Sequence, residues 1–219
     1  MSLPPRARPG RSDNANEYRR IVLVRVHELL KLGYQRLDRS VCKAAHEEEI
    51  SGDLADAIDV VLDDRLQQWM DFFSVHNEAP VRDLPRKGKR RRKVDIRIDS
   101  AQQRPRTRFP FEAKRLGERH GLREYLGKDG LGCFLRGDYG RGEDVAGMLG
   151  YVQSGEPGEW AQSIGRELTQ SPGEYWVLEG REWEYAPLVN GLEETYRSTH
   201  SRERVETAID IYHTFLDFS

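Results

Sequence analysis

The sequence predicts a mixed α/β (α+β) fold in which a central sheet is flanked by helices. Helical periodicity dominates residues 16–37 and 47–68. Short runs with strand-like alternation follow at about 93–99 and 108–115, and further helical and strand-like segments come after them. The order helix, strands, helix, strand is typical of a mixed sheet with helices packed against it.

The composition is that of a polar globular protein. The chain has 219 residues, of which 33% are charged and 37% hydrophobic, and its net charge is -2. No apolar run approaches the roughly 20 residues that span a bilayer, and the N-terminal segment lacks the apolar stretch of a signal peptide. Cys42 and Cys133 fit two idle thiols in a reducing compartment. We therefore expect a cytoplasmic protein that does not enter a membrane.

The length suits one sizeable domain. Residues 1–15 are rich in Pro, Arg and Ser without periodicity, and they predict a disordered basic tail. Residues 16–219 are predicted to form a single domain. Within it we expect an N-terminal helix at 16–44, a core at 45–170 and a C-terminal sheet or helix extension at 171–219.

The remaining elements are predicted from their length and flanking residues. Residues 69–77 either finish the second helix or begin a strand, and residues 128–144 are glycine-rich. Val145–Val152 is too short and too rich in glycine for a helix, so it predicts a buried strand. The other segments are a helix at 118–127, a helix at Glu156–Thr169, a strand at Tyr175–Tyr185, and a strand or helix at Thr207–Phe218.

The strands at 93–99 and 108–115, called the motif strands below, each alternate between an apolar and a charged face. Asp95 lies on the charged face of the first, and Glu112 and Lys114 lie on that of the second. The apolar faces are formed by Val94, Ile96, Ile98, Phe109, Phe111 and Ala113. Two acids and a lysine in one cleft are suited to hold a divalent cation and a water beside a phosphate.

These residue types fit phosphodiester hydrolysis. Mg²⁺ neutralises charge on the phosphate and acidifies a bound water, and it prefers oxygen ligands. Asp95 and Glu112 are the candidate ligands, and the carbonyl of Ala113 is a third. Lys114 lies about 6–7 Å beyond Glu112 along the same face, where an ammonium can orient the attacking water.

The arrangement D95…E112-A-K114 resembles the signature of the PD-(D/E)xK, or restriction-endonuclease-like, nuclease superfamily. Residues 130–155 (GLGCFLRGDYGRGEDVAGMLGYVQSG) are also similar to a segment of defence-associated members. The resemblance covers roughly residues 45–170. It implies a restriction-endonuclease-like mixed sheet and a catalytic triplet of Asp95, Glu112 and Lys114.

The resemblance also implies a glutamate from the preceding helix at the metal. Glu47, Glu48 and Glu49 are the candidates. Glu47 lies three residues before Ile50 and seven before Leu54, so it shares the stripe expected to face the sheet. We prefer Glu47, then Glu49, then Glu48. Acids are also favoured in a first helical turn by the helix dipole, which is an alternative reason for their presence.

Two basic clusters flank the motif strands, and they predict contacts with the DNA backbone. One is the run at 86–93, with seven basic side chains in eight positions, and the other lies in the loop between the strands. The predicted nucleic-acid-binding residues are Arg86, Lys87, Lys89, Arg90, Arg91, Arg92, Lys93, Arg104, Arg106 and Arg108.

The sequence thus predicts a Mg²⁺- or Mn²⁺-dependent endodeoxyribonuclease of low intrinsic sequence specificity. By analogy it would be the nuclease subunit of an anti-phage defence or restriction system, with an ATPase, helicase or other defence subunit as partner. A homo-oligomer is a further option, because many such nucleases act as dimers. The alternatives are a catalytically silent nucleic-acid-binding or assembly subunit and a ribonuclease.

Structural explanations compete with the metal site. Asp95 and Glu112 would equally suit exposed cross-strand ion pairs with Arg97 and Lys114. The six histidines show no ligand spacing, so a zinc enzyme is disfavoured. Tyr139, Tyr151, Trp176 and Trp183 are interpreted as core and sheet-surface aromatics and not as base-stacking platforms.

Overall fold

The computed structural model describes residues 11–81, 91–102 and 106–219, with side chains from Glu17 onward. In this part of the chain seven strands form one mixed sheet in the order β1-β2-β3-β4-β7-β6-β5. The β3–β4 and β4–β7 pairs are parallel and the others antiparallel. The strands are β1 (Phe73–Pro80), β2 (Lys93–Ser100), β3 (Thr107–Leu116), β4 (Val145–Val152), β5 (Glu184–Tyr185), β6 (Thr195–His200) and β7 (Ile209–Asp217).

Helices flank this sheet, so the predicted mixed α/β class is confirmed. A short 3-10 helix, Gln68–Phe72, leads into β1. Among the helices of the described residues, none is long and apolar enough to cross a bilayer. The α-helices are α1 (Arg11–Tyr34), α2 (Arg39–Cys42), α3 (Glu47–Asp63), α4 (Leu122–Tyr125), α5 (Gly132–Leu135) and α6 (Pro157–Gln170).

The sheet separates two apolar cores. Helices α1 and α3 pack on one face, against Phe111 of β3 and Leu149 of β4. Helices α4, α5 and α6 pack on the other, where Met148 is buried. Strand β4 therefore has both faces covered, which explains its nearly continuous apolar sequence. Gly147 on β4 is paired with Phe111, and a Cβ at this glycine would overlap the phenyl ring.

The first helix is longer at its start than the sequence predicted. It begins at Arg11, so residues 11–15 are helical and not a disordered tail, while residues 1–10 lie outside the described part of the chain. Residues 11–15 have no apolar stripe to reveal a helix. A turn added to an existing helix needs none, since propagation gains one backbone hydrogen bond for each residue that is fixed.

The second helix is shorter than predicted. It ends at Asp63 instead of Gln68, and Arg65 adopts a left-handed φ of 46°. A residue in that conformation cannot continue a right-handed helix. The segment 69–77, for which two interpretations were open, first completes the 3-10 helix and then enters β1 at Phe73.

The C-terminal part contains the largest error of the sequence prediction. The predicted strand at 175–185 is mostly turn and irregular backbone, in which Val177 forms an isolated bridge with His200 and only Glu184–Tyr185 is a strand of the sheet. The strand that lies beside β7 is Thr195–His200, which was not predicted. It buries polar side chains instead of apolar ones, so it lacks the alternation that identifies a strand. The segment 207–218 contains strand β7 and no helix.

Candidate functional site

The site is built where β2 and β3 separate. Their antiparallel pairing extends from Ser100 and Thr107 to Ile96 and Phe111. Beyond that point the carboxylate of Asp95 takes the place of a backbone acceptor, since its Oδ2 accepts a hydrogen bond of 2.7 Å from the N–H of Ala113. The Asp95 side chain is therefore held against the backbone between Glu112 and Lys114.

Lys114 is the centre of the cluster. Its Nζ donates to Glu47 Oε1 at 2.7 Å, to Glu112 Oε1 at 3.0 Å and to the carbonyl oxygen of Ala113 at 2.6 Å. Only 12% of its side chain is exposed. The second carboxylate oxygen of Glu47 accepts from the N–H of Arg115 at 3.2 Å. Oxygen atoms from α3 and β3 thus converge on one ammonium.

The three glutamates at the start of α3 have different positions. Glu47 is the one that reaches Lys114. Glu49 turns back and accepts a hydrogen bond of 2.7 Å from the N–H of His46, which caps the helix. Glu48 is exposed and lines the neighbouring cleft. Of the three candidates, only Glu47 and Glu48 therefore face the region of the site.

Gln153, at the end of β4, positions this helix start. Its Nε2 donates to the carbonyl oxygens of Cys42 and Ala45, at 2.8 and 2.9 Å. Its own N–H donates to the carbonyl of Leu116 at 2.8 Å, which ties it to the end of β3. Gln153 thereby fixes the chain before α3 beside β3. This role is not visible in the sequence, because a lone glutamine after a strand has no characteristic pattern.

The environment of the carboxyl groups disfavours their ionised form. Burial raises the pKa of Asp95 to about 6, although the Ala113 N–H and the Lys114 charge oppose the shift. Burial, and then the charge of Asp95, raise the pKa of Glu112 to about 8. The Oε2 atom of Glu112 is buried and has no hydrogen-bond partner among the described residues. Burial disfavours the Lys114 charge, yet Glu112 and Glu47 raise the pKa of Lys114 above its ordinary value.

The oxygen atoms of the cluster are of the type that a hard cation takes as ligands. Carboxylate and carbonyl oxygens are the ligands that Mg²⁺ and Mn²⁺ prefer, and the unpartnered Glu112 Oε2 is a spare acceptor. Within the described residues, however, no three side chains of His, Cys, Asp or Glu are grouped so that they could hold a metal ion. The cation at the centre of the oxygens is the Lys114 ammonium.

A cleft of about 1140 Å³ opens beside Lys114, and we call it the Lys114 cleft. Glu47 and Arg115 line it on the side of the site, and Arg123 and Lys128 are exposed cations further along. Trp176 also lines it, with a left-handed φ of 50°. The cleft therefore has a mixed lining of five Lys or Arg side chains, six Asp or Glu side chains and an aromatic side chain at the edge of the carboxylate cluster.

The predicted phosphate-binding residues that the structure describes lie outside the Lys114 cleft. Arg92 pairs with Asp138 and Lys93 with Glu78. Arg91 and Arg108 line a separate cleft, and Arg106 and Arg108 line a third cavity. Of the predicted cations that the structure describes, none lines the Lys114 cleft. Arg86, Lys87, Lys89, Arg90 and Arg104 lie outside the described residues.

The cations that do lie in the Lys114 cleft were missed by sequence reasoning. Arg115, Arg123 and Lys128 are spaced along β3, α4 and the glycine-rich segment, so they form no run in the sequence. Arg97, considered as a partner of Asp95, instead donates to Asp99 at 2.8 Å. The predicted ion pair between Glu112 and Lys114 is present, as part of the larger cluster.

Comparison of the chain with protein-family models, with curated proteins and with solved structures gave no significant match. The similarity to PD-(D/E)xK nucleases therefore rests on the residues of the chain itself.

Proposed function

We propose that this chain is a metal-dependent endodeoxyribonuclease whose reacting centre lies at the end of β3. The observation that carries the proposal is the convergence of Asp95, Glu112 and Lys114, which are separated in sequence, with Glu47 from α3. Two buried carboxyl groups with raised pKa values beside a cleft are typical of a site that performs chemistry or binds a cation.

Asp95, Glu112 and the carbonyl of Ala113 would hold the cation. When bound, a divalent cation neutralises charge on the phosphate and lowers the pKa of a water ligand. The charge of Asp95 raises the pKa of Glu112, since two like charges close together disfavour joint ionisation. A cation removes that penalty, so we expect its binding to displace protons from these carboxyl groups.

Lys114 would then act on the phosphate. Its ammonium lies 3.0 Å from Glu112 and is largely desolvated, so once a cation displaces it from the carboxylates it would remain close enough to donate to a phosphate oxygen or to the attacking water. Glu47 keeps this lysine charged and oriented through the 2.7 Å contact. In this scheme Glu47 is a positioning residue for Lys114 that also lies close enough to support the cation.

DNA would enter through the Lys114 cleft. Arg115, Arg123 and Lys128 supply positive charge there, which suits contacts with phosphate oxygens. Contacts of this kind position a nucleic acid without reading its sequence. We therefore expect low intrinsic specificity, and the defence-system partner inferred by resemblance remains part of this proposal.

Cleavage of supercoiled plasmid tests the proposal. The wild-type protein is incubated with Mg²⁺, with Mn²⁺ or with EDTA, and Lys114→Ala is the test variant. Lys43→Ala is the matched control, because Lys43 is exposed and does not line the cleft. We expect metal-dependent nicking that is retained in Lys43→Ala and lost in Lys114→Ala. An RNA substrate in the same assay distinguishes the ribonuclease alternative.

One observation favours a second candidate, a catalytically silent nucleic-acid-binding subunit. The Lys114 ammonium already fills the space between the oxygen atoms that a cation would need. In a silent protein this lysine would be a permanent counter-ion. DNA binding that survives in Lys114→Ala, without cleavage under any metal condition, would support this candidate over the nuclease.

A further inference from the structure

A second cavity lies at the opposite end of the parallel strands. It has a volume of about 850 Å³ and is lined by residues from the starts of α1, β3, β4 and β7. Arg108 lines it, whereas Lys114 at the other end of β3 lines the Lys114 cleft. Six residues of extended strand separate the two side chains, which corresponds to about 20 Å. We call this the arginine cavity, and it is distinct from the candidate active site.

The arginine cavity carries a surplus of positive charge. Six arginines line it, against the three acids Glu143, Asp144 and Asp210. Arg19 pairs with Asp144, and Arg197 approaches Asp210 at 3.9 Å as well as pairing with Glu184. The other four have no carboxylate within ion-pair distance among the described residues, and they are Arg20, Arg106, Arg108 and Arg181.

The four unpaired arginines come from separate parts of the chain. Arg20 belongs to α1, Arg106 and Arg108 to the start of β3, and Arg181 to the turn before β5. Folding brings these like charges to the lining of one cavity, where arginines outnumber acids. Guanidinium groups present planar forks of donors that match phosphate oxygens, so such a cluster is suited to bind phosphate groups.

Part of the cavity lining is apolar. Phe109, Leu178 and Tyr212 contribute apolar or aromatic surface to it. Tyr18 also lines the cavity, and its hydroxyl is buried without a hydrogen-bond partner among the described residues. Apolar surface with a few polar groups in a volume below about 1,000 Å³ is typical of a site for a small organic ligand. Phosphate-binding charge beside aromatic surface and one spare hydroxyl matches the chemistry of a nucleotide.

We propose that the arginine cavity binds a phosphate-bearing ligand of nucleotide chemistry. Arg20, Arg106, Arg108 and Arg181 hold its phosphates, and Tyr18 hydrogen-bonds the polar edge of the part lodged against Phe109. The ligand is either a free nucleotide or a nucleotide unit of a nucleic acid that reaches this end of the sheet. The inference does not depend on the nuclease proposal, because the two sites share no residues.

Fluorescence binding measurements in EDTA test this inference. The probes are methylanthraniloyl-ATP, for a free nucleotide, and a fluorescein-labelled single-stranded DNA of 12 nucleotides, for a nucleic acid. In the double variant Arg20→Ala/Arg181→Ala we expect the affinity for at least one probe to fall about tenfold or more, since two charged contacts are lost. Tyr18→Phe should weaken the same probe by about threefold to tenfold.

The matched control is Arg123→Ala/Lys128→Ala, which removes two exposed cations from the Lys114 cleft instead. It should leave nucleotide binding unchanged, and it should weaken DNA binding less than the arginine-cavity variant does if DNA is the ligand there. A loss with methylanthraniloyl-ATP identifies a free nucleotide, and a loss with DNA alone identifies a nucleic-acid segment. Failure of both probes to bind, or equal binding by wild type and Arg20→Ala/Arg181→Ala, would overturn the inference.

This test is independent of the cleavage assay. The substituted arginines are exposed, so thermal unfolding should show that both double variants fold like the wild type. A protein that cleaves no plasmid and yet binds methylanthraniloyl-ATP through Arg20 and Arg181 would refute the nuclease proposal and support this one. Cleavage without any effect of the arginine-cavity variant on either probe would support the nuclease proposal and refute this inference.

Discussion

Two buried polar clusters in this protein differ in their charge and in how fully their polar atoms are hydrogen-bonded. One is the candidate active site around Lys114. The other is a hydrogen-bonded chain that runs from Tyr125 through His213, Ser198 and His200 to the carbonyl of Tyr175, and we call it the histidine relay. In the relay, Tyr125 and His213 are joined at 3.1 Å, His213 and Ser198 at 2.8 Å, Ser198 and His200 at 2.6 Å, and His200 and the carbonyl of Tyr175 at 2.7 Å.

The relay has one complete arrangement of protons in which every group is neutral. The Tyr175 carbonyl can only accept, so His200 Nδ1 carries the proton and its Nε2 accepts from the Ser198 hydroxyl. Ser198 then accepts from His213 Nε2, and His213 Nδ1 accepts from the Tyr125 hydroxyl. Burial lowers the pKa of His200 to about 4 and that of His213 well below its ordinary value, which keeps both rings neutral.

The candidate site differs in both respects. It places the carboxylates of Glu47 and Glu112 and the carbonyl of Ala113 around one ammonium, and it raises the pKa values of Asp95 and Glu112. Both clusters are buried and match their donors to acceptors, yet only the candidate site leaves a buried carboxylate oxygen, Glu112 Oε2, with no donor among the described residues. A satisfied buried network specifies the packing of a core, whereas unsatisfied charge at the edge of a cleft is the property of a site that awaits a ligand.

The largest expected effect is a loss of plasmid cleavage when a residue of the candidate site is substituted. In Glu112→Gln the charge that would hold the proposed cation is lost while the shape of the side chain is kept. We expect plasmid cleavage to fall at least about 100-fold, which corresponds to roughly 3 kcal/mol of transition-state stabilisation. Single-turnover rates measure this loss. A Glu112→Gln protein that cleaves at the wild-type rate would remove Glu112 from the mechanism.

The second effect concerns the stability of the relay. Ser198→Ala leaves His200 Nε2 and the His213 Nε2–H without partners in a buried region, so we expect the free energy of unfolding to fall by about 2–4 kcal/mol. Urea denaturation measures it. Ser163→Ala, a half-buried position on α6, serves as the control and should change stability by less than about 0.5 kcal/mol. Equal small effects at the two serines would contradict the assigned proton arrangement.

The third effect is a gain in stability, opposite in sign to the loss expected for Ser198→Ala. The folded pKa of Glu112, about 8, lies above its ordinary value of 4.5, so between these pH values the unfolded state has released a proton that the native state retains. Stability is therefore lost as the pH rises through this window. Glu112→Gln cannot ionise, and we expect it to raise the free energy of unfolding by about 1–3 kcal/mol at pH 8.5 in EDTA.

This gain should shrink towards zero near pH 4, where the carboxyl group is protonated in both states. Urea denaturation at the two pH values gives the comparison, and Glu48→Gln is the control because that side chain is exposed. Should Glu112→Gln instead be less stable than the wild type at pH 8.5, Glu112 would be a satisfied structural residue like those of the relay.

The smallest effect is that of metal on stability. A cation that binds only the folded state at ten times its dissociation constant contributes about 1.4 kcal/mol, which raises the Tm of a protein of this size by about 3–6 °C. We expect such a shift with Mn²⁺ at pH 8 in the wild type and none in Asp95→Asn. A shift of equal size in both proteins would assign the metal to another site.

The fold was predictable where the residue pattern is strong. Alternation identified the motif strands, and length with apolar content identified Val145–Val152 as a strand. Strand β6 was not predictable, because Ser198 and His200 are buried through hydrogen bonds instead of apolar contacts. Side chains that satisfy one another across strands leave no periodic trace in a sequence.

The candidate site was predictable in its centre and not in its surroundings. Alternation put Asp95 on the charged face of the first motif strand and Glu112 and Lys114 on that of the second, and the resemblance added a helix glutamate. Of the basic run at 86–93, the described cations Arg91, Arg92 and Lys93 do not line the Lys114 cleft, and Arg92 and Lys93 form ion pairs elsewhere. The charged residues that line the Lys114 cleft are far apart in the chain, and tertiary folding brings them together.

The position of a bound Mn²⁺ ion tests the central claim most directly. A crystal soaked in Mn²⁺ at pH 8 gives an anomalous signal that locates the ion independently of any activity. We expect one peak with carboxylate oxygens of Asp95 and Glu112 about 2 Å away and with the Lys114 ammonium displaced from Glu112. Occupied manganese elsewhere, with Lys114 still seated between Glu47 and Glu112, would contradict the account.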